Sequence, residues 1–221
     1  MNESYQGFAL VQCNNDFVVL DKAPGVGMHD EDGTPGLVSL ARQQLSLELY
    51  PVHRLDKVTS GLVLMARHAE ANSLLSQLFA KREMSKTYMA VAAGKPRKKQ
   101  GWVKGDMIRS RRGSWMLTRE MTNPAITWFD SQSIGDGLRV YLIRPHTGKT
   151  HQIRVALKSL GTPILGDSLY GAAAADRVYL HAAELAFSFA GTNHHFSLMP
   201  TSGVSFLLPA TPKAWQQLLP G

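Results

Sequence analysis

"AITWFDSQSIGDGLRVYLIRP", Ala125–Pro145, decides the architecture. Two runs rich in Ile, Thr, Trp, Phe, Val and Tyr flank Gly135-Asp136-Gly137, and Asp-Gly at such a junction supplies the positive φ angles of a tight turn. An antiparallel hairpin is expected here. Working outward, "KTYMAVAAG", "GWVKGDMI" and "SWMLT" precede it as β-prone runs, and "VYLHAAELAFSF" and "HHFSLM" follow it. "FALVQC" and "FVVLD", separated by the turn signal "NND", read as a second hairpin, and "GLVLMAR" reads as a buried strand.

Helices are interspersed among these runs. Thr34 is expected as an N-cap with Pro35 at the first helical position, and Leu37, Leu40 and Ala41 carry that helix to about Leu47. "AEANSLLSQLFAKRE" puts Leu74, Leu75, Leu78 and Phe79 on one helical face. "TGKTHQIRVALKSLG" reads as a loop opening a helix that Gly161 closes, and "PKAWQQLL" as a terminal helix. Regular βαβ alternation is absent, so an α+β fold with a mainly antiparallel sheet is expected. With no clean linker and no internal repeat, a single domain over residues 1–221 is expected.

Of the 221 residues, 44% are hydrophobic and 19% charged, a globular composition. The single cysteine, Cys13, has no partner for a disulfide, which fits a reducing compartment. No apolar run approaches the ~18 residues of a membrane span, and the start "MNESYQGFAL" lacks the pattern of a signal peptide. A cytoplasmic protein, not bound to membrane, is expected. The net charge is +7, yet residues 1–50 carry −5, leaving +12 on the remainder. Such a surface recruits polyanions through counterion release.

"PVHRLDKVTSGLVLMAR", Pro51–Arg67, places Asp56 between Arg54 and Lys57. Flanking cations favour the charged form of a carboxylate. An ionised Asp56 suits a nucleophile or a stabiliser of developing positive charge, and is poorly suited to general-acid work. The plainer reading of these charges is a solvated ion-pair network, and of His53 a structural role. "RPHTGKTHQIR", Arg144–Arg154, gathers Arg144, Lys149 and Arg154 with Thr147 and Thr150 where a helix opens, a candidate anion site. It lacks the spacing of a Walker loop. His146 and His151 have no acidic or cysteine partner at ligand spacing, so no metal is expected. Tyr88 in "KREMSKTYMAV" is either a half-buried core residue or, if it faces a cleft, a stacking surface for a base. Two basic clusters, Lys95–Lys99 and Arg109–Arg112 with Trp115 nearby, read either as solvated hairpin tips or as a rim for phosphates.

"HRLDKVTSGLVLMAR" resembles the signature of the RluA-type pseudouridine synthases. "VVLDKAPGVGMH", "KTYMAVAAG", "TGKTHQIRVALKSLGTPILGDSLYG" and "YLHAAELAF" resemble further segments of that family in its order, and the likeness spans roughly residues 17–208. It implies a bent, mainly antiparallel sheet with flanking helices and a central active-site cleft. It also implies isomerisation of uridine to pseudouridine in rRNA or tRNA, without metal or organic cofactor. By the same resemblance Asp56 matches the catalytic aspartate, Tyr88 the tyrosine that contacts the flipped base, and Arg154 the arginine that pairs the aspartate.

Arg54 matches an arginine that helps hold the flipped state. The expected RNA-binding set adds His53, Lys57, Lys149, Thr150, His151, Arg109, Arg111 and Arg112. Ile153 is expected to wall the base pocket with Tyr88, and Tyr88 is also the favoured group for removing the C5 proton. Asp167 in "LGDSLYG" is expected to be structural.

Four positions depart from the family pattern: Asp21 and Ala23 in the first motif, Lys149 where arginine is common, and Ala156 where histidine is typical. They bear on RNA grip, because lysine and arginine hold phosphate differently. About 16 residues precede the first motif, too few for an N-terminal S4 RNA-binding domain, so a short member is expected. A monomer is expected. A non-catalytic RNA-binding or ribosome-assembly factor on the same fold stands as the alternative, with a single-carboxylate glycosidase or nucleosidase more distant.

Overall fold

Residues 3–219 are described in a computed structural model, so the first two and last two positions of the expected 1–221 domain lie outside the described residues. The chain forms two compact units: residues through Lys86 with His181–Met199, and Thr87–Leu180 with the residues from Pro200 on.

The first unit begins with β1 (Ser4–Tyr5), β2 (Phe8–Cys13) and β3 (Phe17–Lys22), the N-terminal hairpin expected from "NND". β4 (Tyr50–Pro51) and β5 (Ser60–Ala66) follow, with β12 (Leu180–Phe189) and β13 (Thr192–Ser197) returning later in the chain. β5 is buried along its whole length because it is flanked on both edges, antiparallel to β3 and parallel to β12. The parallel contact is close: Gly61, at φ +105°, opposes Ala182, and a Cβ there would lie 2.4 Å from the Ala182 carbonyl oxygen. Phe17, Val19, Leu62, Leu64, Leu185 and Phe187 form the core with Ala71 and Leu75 of α2 (Ala69–Ala80). Leu78 and Phe79 pack at its edge as expected. Leu74 does not share that face and is 47% exposed.

α1 spans Leu37–Leu45. Its first turn corrects the expectation of a Thr34 cap: the N-cap is Gly36, and Thr34 instead bridges Glu31. Asp30 accepts from the Gly36 N–H at 2.8 Å and so binds a helix-start donor from six residues away. That bond holds the Asp30 carboxyl below the usual range.

The second unit holds β6 (Ser85–Ala93, from Thr87), β7 (Gly101–Gly105), β10 (Ala125–Gly135) and β11 (Leu138–Pro145), antiparallel in the order β6-β11-β10-β7. The expected hairpin is present, with Asp136 (φ 49°) and Gly137 (φ 72°) both left-handed at its turn. "GWVKGDMI" is not one strand. It breaks at Asp106, whose carboxylate accepts from the Thr122 and Asn123 N–H groups, and restarts as β8 (Met107–Arg109), which pairs only locally with β9 (Trp115–Leu117). α3 (Gln152–Ser159) is closed by Gly161 (φ +85°) as expected, and α4 (Val204–Leu207) and α5 (Ala210–Leu218) complete the unit. The fold is α+β with a mixed, mostly antiparallel sheet. Among the described residues no helix is long and apolar enough to cross a membrane.

Candidate active site

In the first unit the segment that carries Asp56 is tied down through its backbone. Lys22, fully buried at the end of β3, donates from Nζ to the carbonyls of Ala23 (2.9 Å), Val26 (2.8 Å) and Lys57 (3.2 Å). An ammonium is affordable there because three carbonyl dipoles replace its water. Gly25 N–H also donates to the Lys57 carbonyl at 2.8 Å, and Thr59 N–H closes a turn onto the Asp56 carbonyl at 3.0 Å. Residues 22–26 thus fix the backbone immediately after Asp56. Sequence reading passed over Lys22; an apolar strand ending in lysine before "APG" was the available signal.

The side chains around Asp56 divide their tasks. Lys57 is its sequence neighbour, but the Lys57 ammonium meets Glu31 at 3.3 Å on an exposed surface. Arg54 is exposed. His53, expected to touch RNA, stacks on Phe79 (ring centroids 4.6 Å apart, planes 22° apart) and accepts from the Leu64 N–H through Nε2 at 3.0 Å. Desolvation, helped by the nearby Lys86 ammonium, pushes its pKa down to about 3. A neutral His53 has no charge to give a phosphate. It braces the approach to β5.

This depression has a measurable sign. Unfolded His53 takes up a proton below about 6.5, while the folded ring resists until about 3, so stability falls as pH drops through that window. Between pH 7 and 5 the wild type should lose about 2 kcal/mol more than a His53→Phe variant, read by urea unfolding at each pH. Equal losses in the two proteins would mean that His53 is not held neutral.

In the second unit the central feature is Arg154 on α3. Its guanidinium is 5% exposed and is gripped by Asp167 in two bonds, Nε to Oδ2 at 2.7 Å and Nη2 to Oδ1 at 2.8 Å. Asp167 is itself 1% exposed. A fork-to-fork pair of this kind fixes the plane as well as the position of the arginine. The guanidinium also lies over the Tyr170 ring, 5.0 Å from its centroid. The Tyr170 hydroxyl in turn accepts from the Trp115 N–H (3.1 Å) and bonds His151 Nδ1 (2.8 Å). "GDSLYG" therefore supplies both the counter-ion and the platform for Arg154. Asp167 is structural as expected; Tyr170 was missed, although a buried arginine sixteen residues earlier requires such partners.

The loop before α3 is organised by Gln152, whose Oε1 accepts from Thr147 Oγ1 (2.7 Å) and Lys149 N–H (3.0 Å) and whose Nε2 donates to Ile126 O and Thr127 Oγ1. Lys149 Nζ reaches Asn123 Oδ1 at 2.7 Å, Thr150 is exposed, and His151 takes a left-handed backbone, φ 58°. Ile153 (7% exposed) and Tyr88 (9%) are buried, the latter on β6 opposite Ile143. Arg109, Arg111 and Arg112 stand exposed at the β8–β9 hairpin, Arg109 stacked 5.7 Å from Trp115. Of the expected residues, His53, Arg54, Asp56 and Lys57 belong to the first unit. Tyr88, Arg109, Arg111, Arg112, Lys149, Thr150, His151, Ile153 and Arg154 belong to the second, where Tyr170 brings His151 and Arg154 together. Among the described residues no three His, Cys, Asp or Glu side chains are grouped to hold a metal ion.

Comparison with known proteins identifies the family. A Haemophilus influenzae protein, named an uncharacterized RNA pseudouridine synthase, is 43% identical over 203 residues, covering 90% of this chain and 91% of its own. The ribosomal large subunit pseudouridine synthase C of Rickettsia bellii is 40% identical over 124 residues, 54% of this chain and 41% of that protein. The solved structure of human RNA pseudouridylate synthase domain containing 1 superposes with a TM-score of 0.77 at 23% identity, covering 98% of this chain and 96% of that one, which shows a shared fold. The family model described as RNA pseudouridylate synthase matches residues 16–159, more than half of the sequence, and the chain belongs to that family.

Proposed function

We propose that this RNA pseudouridine synthase carries out its isomerisation with Asp56 as the reacting carboxylate, Arg154 as the partner of that carboxylate, and Tyr88 against the flipped base. The reaction cleaves the C1′–N1 bond of uridine, turns the uracil, and joins C1′ to C5. N1 gains a proton and C5 loses one. C1′ becomes electron-poor as the bond breaks, and a fixed negative oxygen beneath it lowers that barrier. Uracil leaves as a delocalised anion, which lessens the need for a second, protonated carboxyl of the glycosidase kind. Tyr88 is the base for the C5 proton, and Ile153 helps keep the detached ring from water. Extruding the nucleotide costs a few kcal/mol, least in loops and distorted stems.

The observation that carries this reading is the Arg154–Asp167 clamp: a guanidinium held on two nitrogens inside the protein is a fixed cation, as pairing with a reacting aspartate requires. Arg54, Lys57, Lys149, Thr150, His151, Arg109, Arg111 and Arg112 grip the RNA, with His53 acting through the backbone of β5. The protein works as a cytoplasmic monomer without metal or organic cofactor. The substrate is large-subunit ribosomal RNA, the class named for the Rickettsia relative. Carbodiimide-dependent primer-extension stops, mapped with and without the gene, test this. Loss of a stop in large-subunit rRNA is expected. A loss confined to tRNA overturns the substrate class, and an unchanged pattern overturns the activity.

A further inference from the structure

On the sheet of the second unit, residues directly opposite one another share a face. Trp102 of β7 pairs with Trp128 of β10, and Trp128 pairs with Arg144 of β11, so the three form a row across the strands. Lys104, two residues beyond Trp102, lies on the same face opposite Ile126. The Lys104 ammonium stands 5.1 Å from the Trp102 ring centroid, the Arg144 guanidinium 5.4 Å from that of Trp128, and the His146 ring 4.9 Å from that of Trp102. Trp102 is 44% exposed, Lys104 and His146 are exposed, and β7 is the last strand in the order of this sheet. Asp130 is the carboxylate that the β10 register adds to the face, opposite Leu142.

This face is separate from the groups assigned to catalysis. Tyr88 pairs with Ile143, whose side chain points to the other side of the sheet from that of Arg144, and Gln152 of α3 reaches Thr127 on that other side too. A large exposed indole with an ammonium over its ring has little use in holding the fold. It offers a flat π surface to a base and positive charge to the adjoining phosphates. We propose that Trp102, Lys104, Trp128 and Arg144 form a platform for single-stranded RNA, where one base stacks on Trp102 while Lys104 and Arg144 hold neighbouring phosphates. Single-stranded RNA fits because duplex bases have no free face to stack. The proposal rests on RNA as the substrate class and not on the role of Asp56.

Fluorescein-labelled oligoadenylate of twelve nucleotides provides the probe, since it contains no uridine to isomerise and its affinity is read by anisotropy without turnover. Trp102→Leu, which keeps an apolar side chain on the strand, should weaken binding at least fivefold, whereas Trp102→Phe should stay within about twofold of wild type. Lys104→Gln should flatten the dependence of log affinity on log salt by about 0.7. Unchanged affinity in Trp102→Leu overturns the platform. An equal loss for heparin, a polyanion without bases, overturns stacking, and a wild-type dimer that Trp102→Leu dissociates assigns the face to a second copy and overturns the proposal. Unfolding midpoints of the Leu and Phe variants that agree keep the comparison one of binding.

Discussion

Asp56→Asn should reduce tritium release from 5-tritiated uridine in RNA by at least about a thousandfold while leaving the thermal midpoint within a few degrees of wild type. The size follows from what is removed. Loss of a group that acts directly on the reacting centre commonly costs this much or more, whereas loss of a merely supporting contact does not. Asparagine matches aspartate in shape and can still accept a hydrogen bond, so the variant removes charge and little else. The backbone around position 56 is held by Lys22, Gly25 and Thr59 through main-chain atoms, and those bonds are indifferent to the side chain. Activity near wild type would mean that the carboxylate at 56 is a half-buried structural charge beside Arg54 and Lys57. The reaction would then need another residue.

Asp167→Ala should destabilise the protein by about 3–5 kcal/mol, because it leaves the Arg154 guanidinium buried without its carboxylate. For a chain of this length that lowers the midpoint by about 10 °C or more. Activity should vanish with it, but a collapsed protein would be inactive for trivial reasons. The paired replacement Arg154→Met with Asp167→Leu separates the two effects. Removing both charges together restores apolar packing and should recover most of the stability. A stable, inactive double variant identifies Arg154 as a working cation. A stable double variant that still releases tritium reduces the pair to a structural bridge and removes Arg154 from the mechanism.

What could be read in the sequence follows the range of the forces involved. Strands whose partners lie nearby, such as the Ala125–Pro145 hairpin, were legible because turn chemistry and β propensity act within a few residues. So was the closure of α3 at Gly161. The errors came where a distant or competing partner outbid the local rule. Asp30 takes the helix-start donor that Thr34 was expected to hold. Asp106 draws in the Thr122 and Asn123 amides and splits one expected strand into two. Leu74 is spaced four residues from Leu78 but lies about 100° around the helix from the buried Leu75, which leaves it outside the core.

The site shows the same division. Asp56, Tyr88 and Arg154 stood out by motif, but the residues that hold them did not. Lys22, Gln152 and Tyr170 act through contacts spanning 25 to 55 residues, which no local pattern displays. For His53 the limit is different: residue type does not show its charge state, and burial against Phe79 keeps it neutral.

The first unit is interrupted in the chain by the 94 residues Thr87–Leu180. β5 therefore lacks its parallel neighbour β12 until translation has passed them, a wait of roughly 5–20 s at ordinary elongation speed. During that interval the nascent N-terminal half carries an unsealed apolar strand, Gly61 included, that invites mispairing with other chains. Chaperone dependence in this protein should accordingly be a matter of synthesis rather than of the finished molecule, and slowing the ribosome within that stretch should lower soluble yield without altering the stability of what does fold.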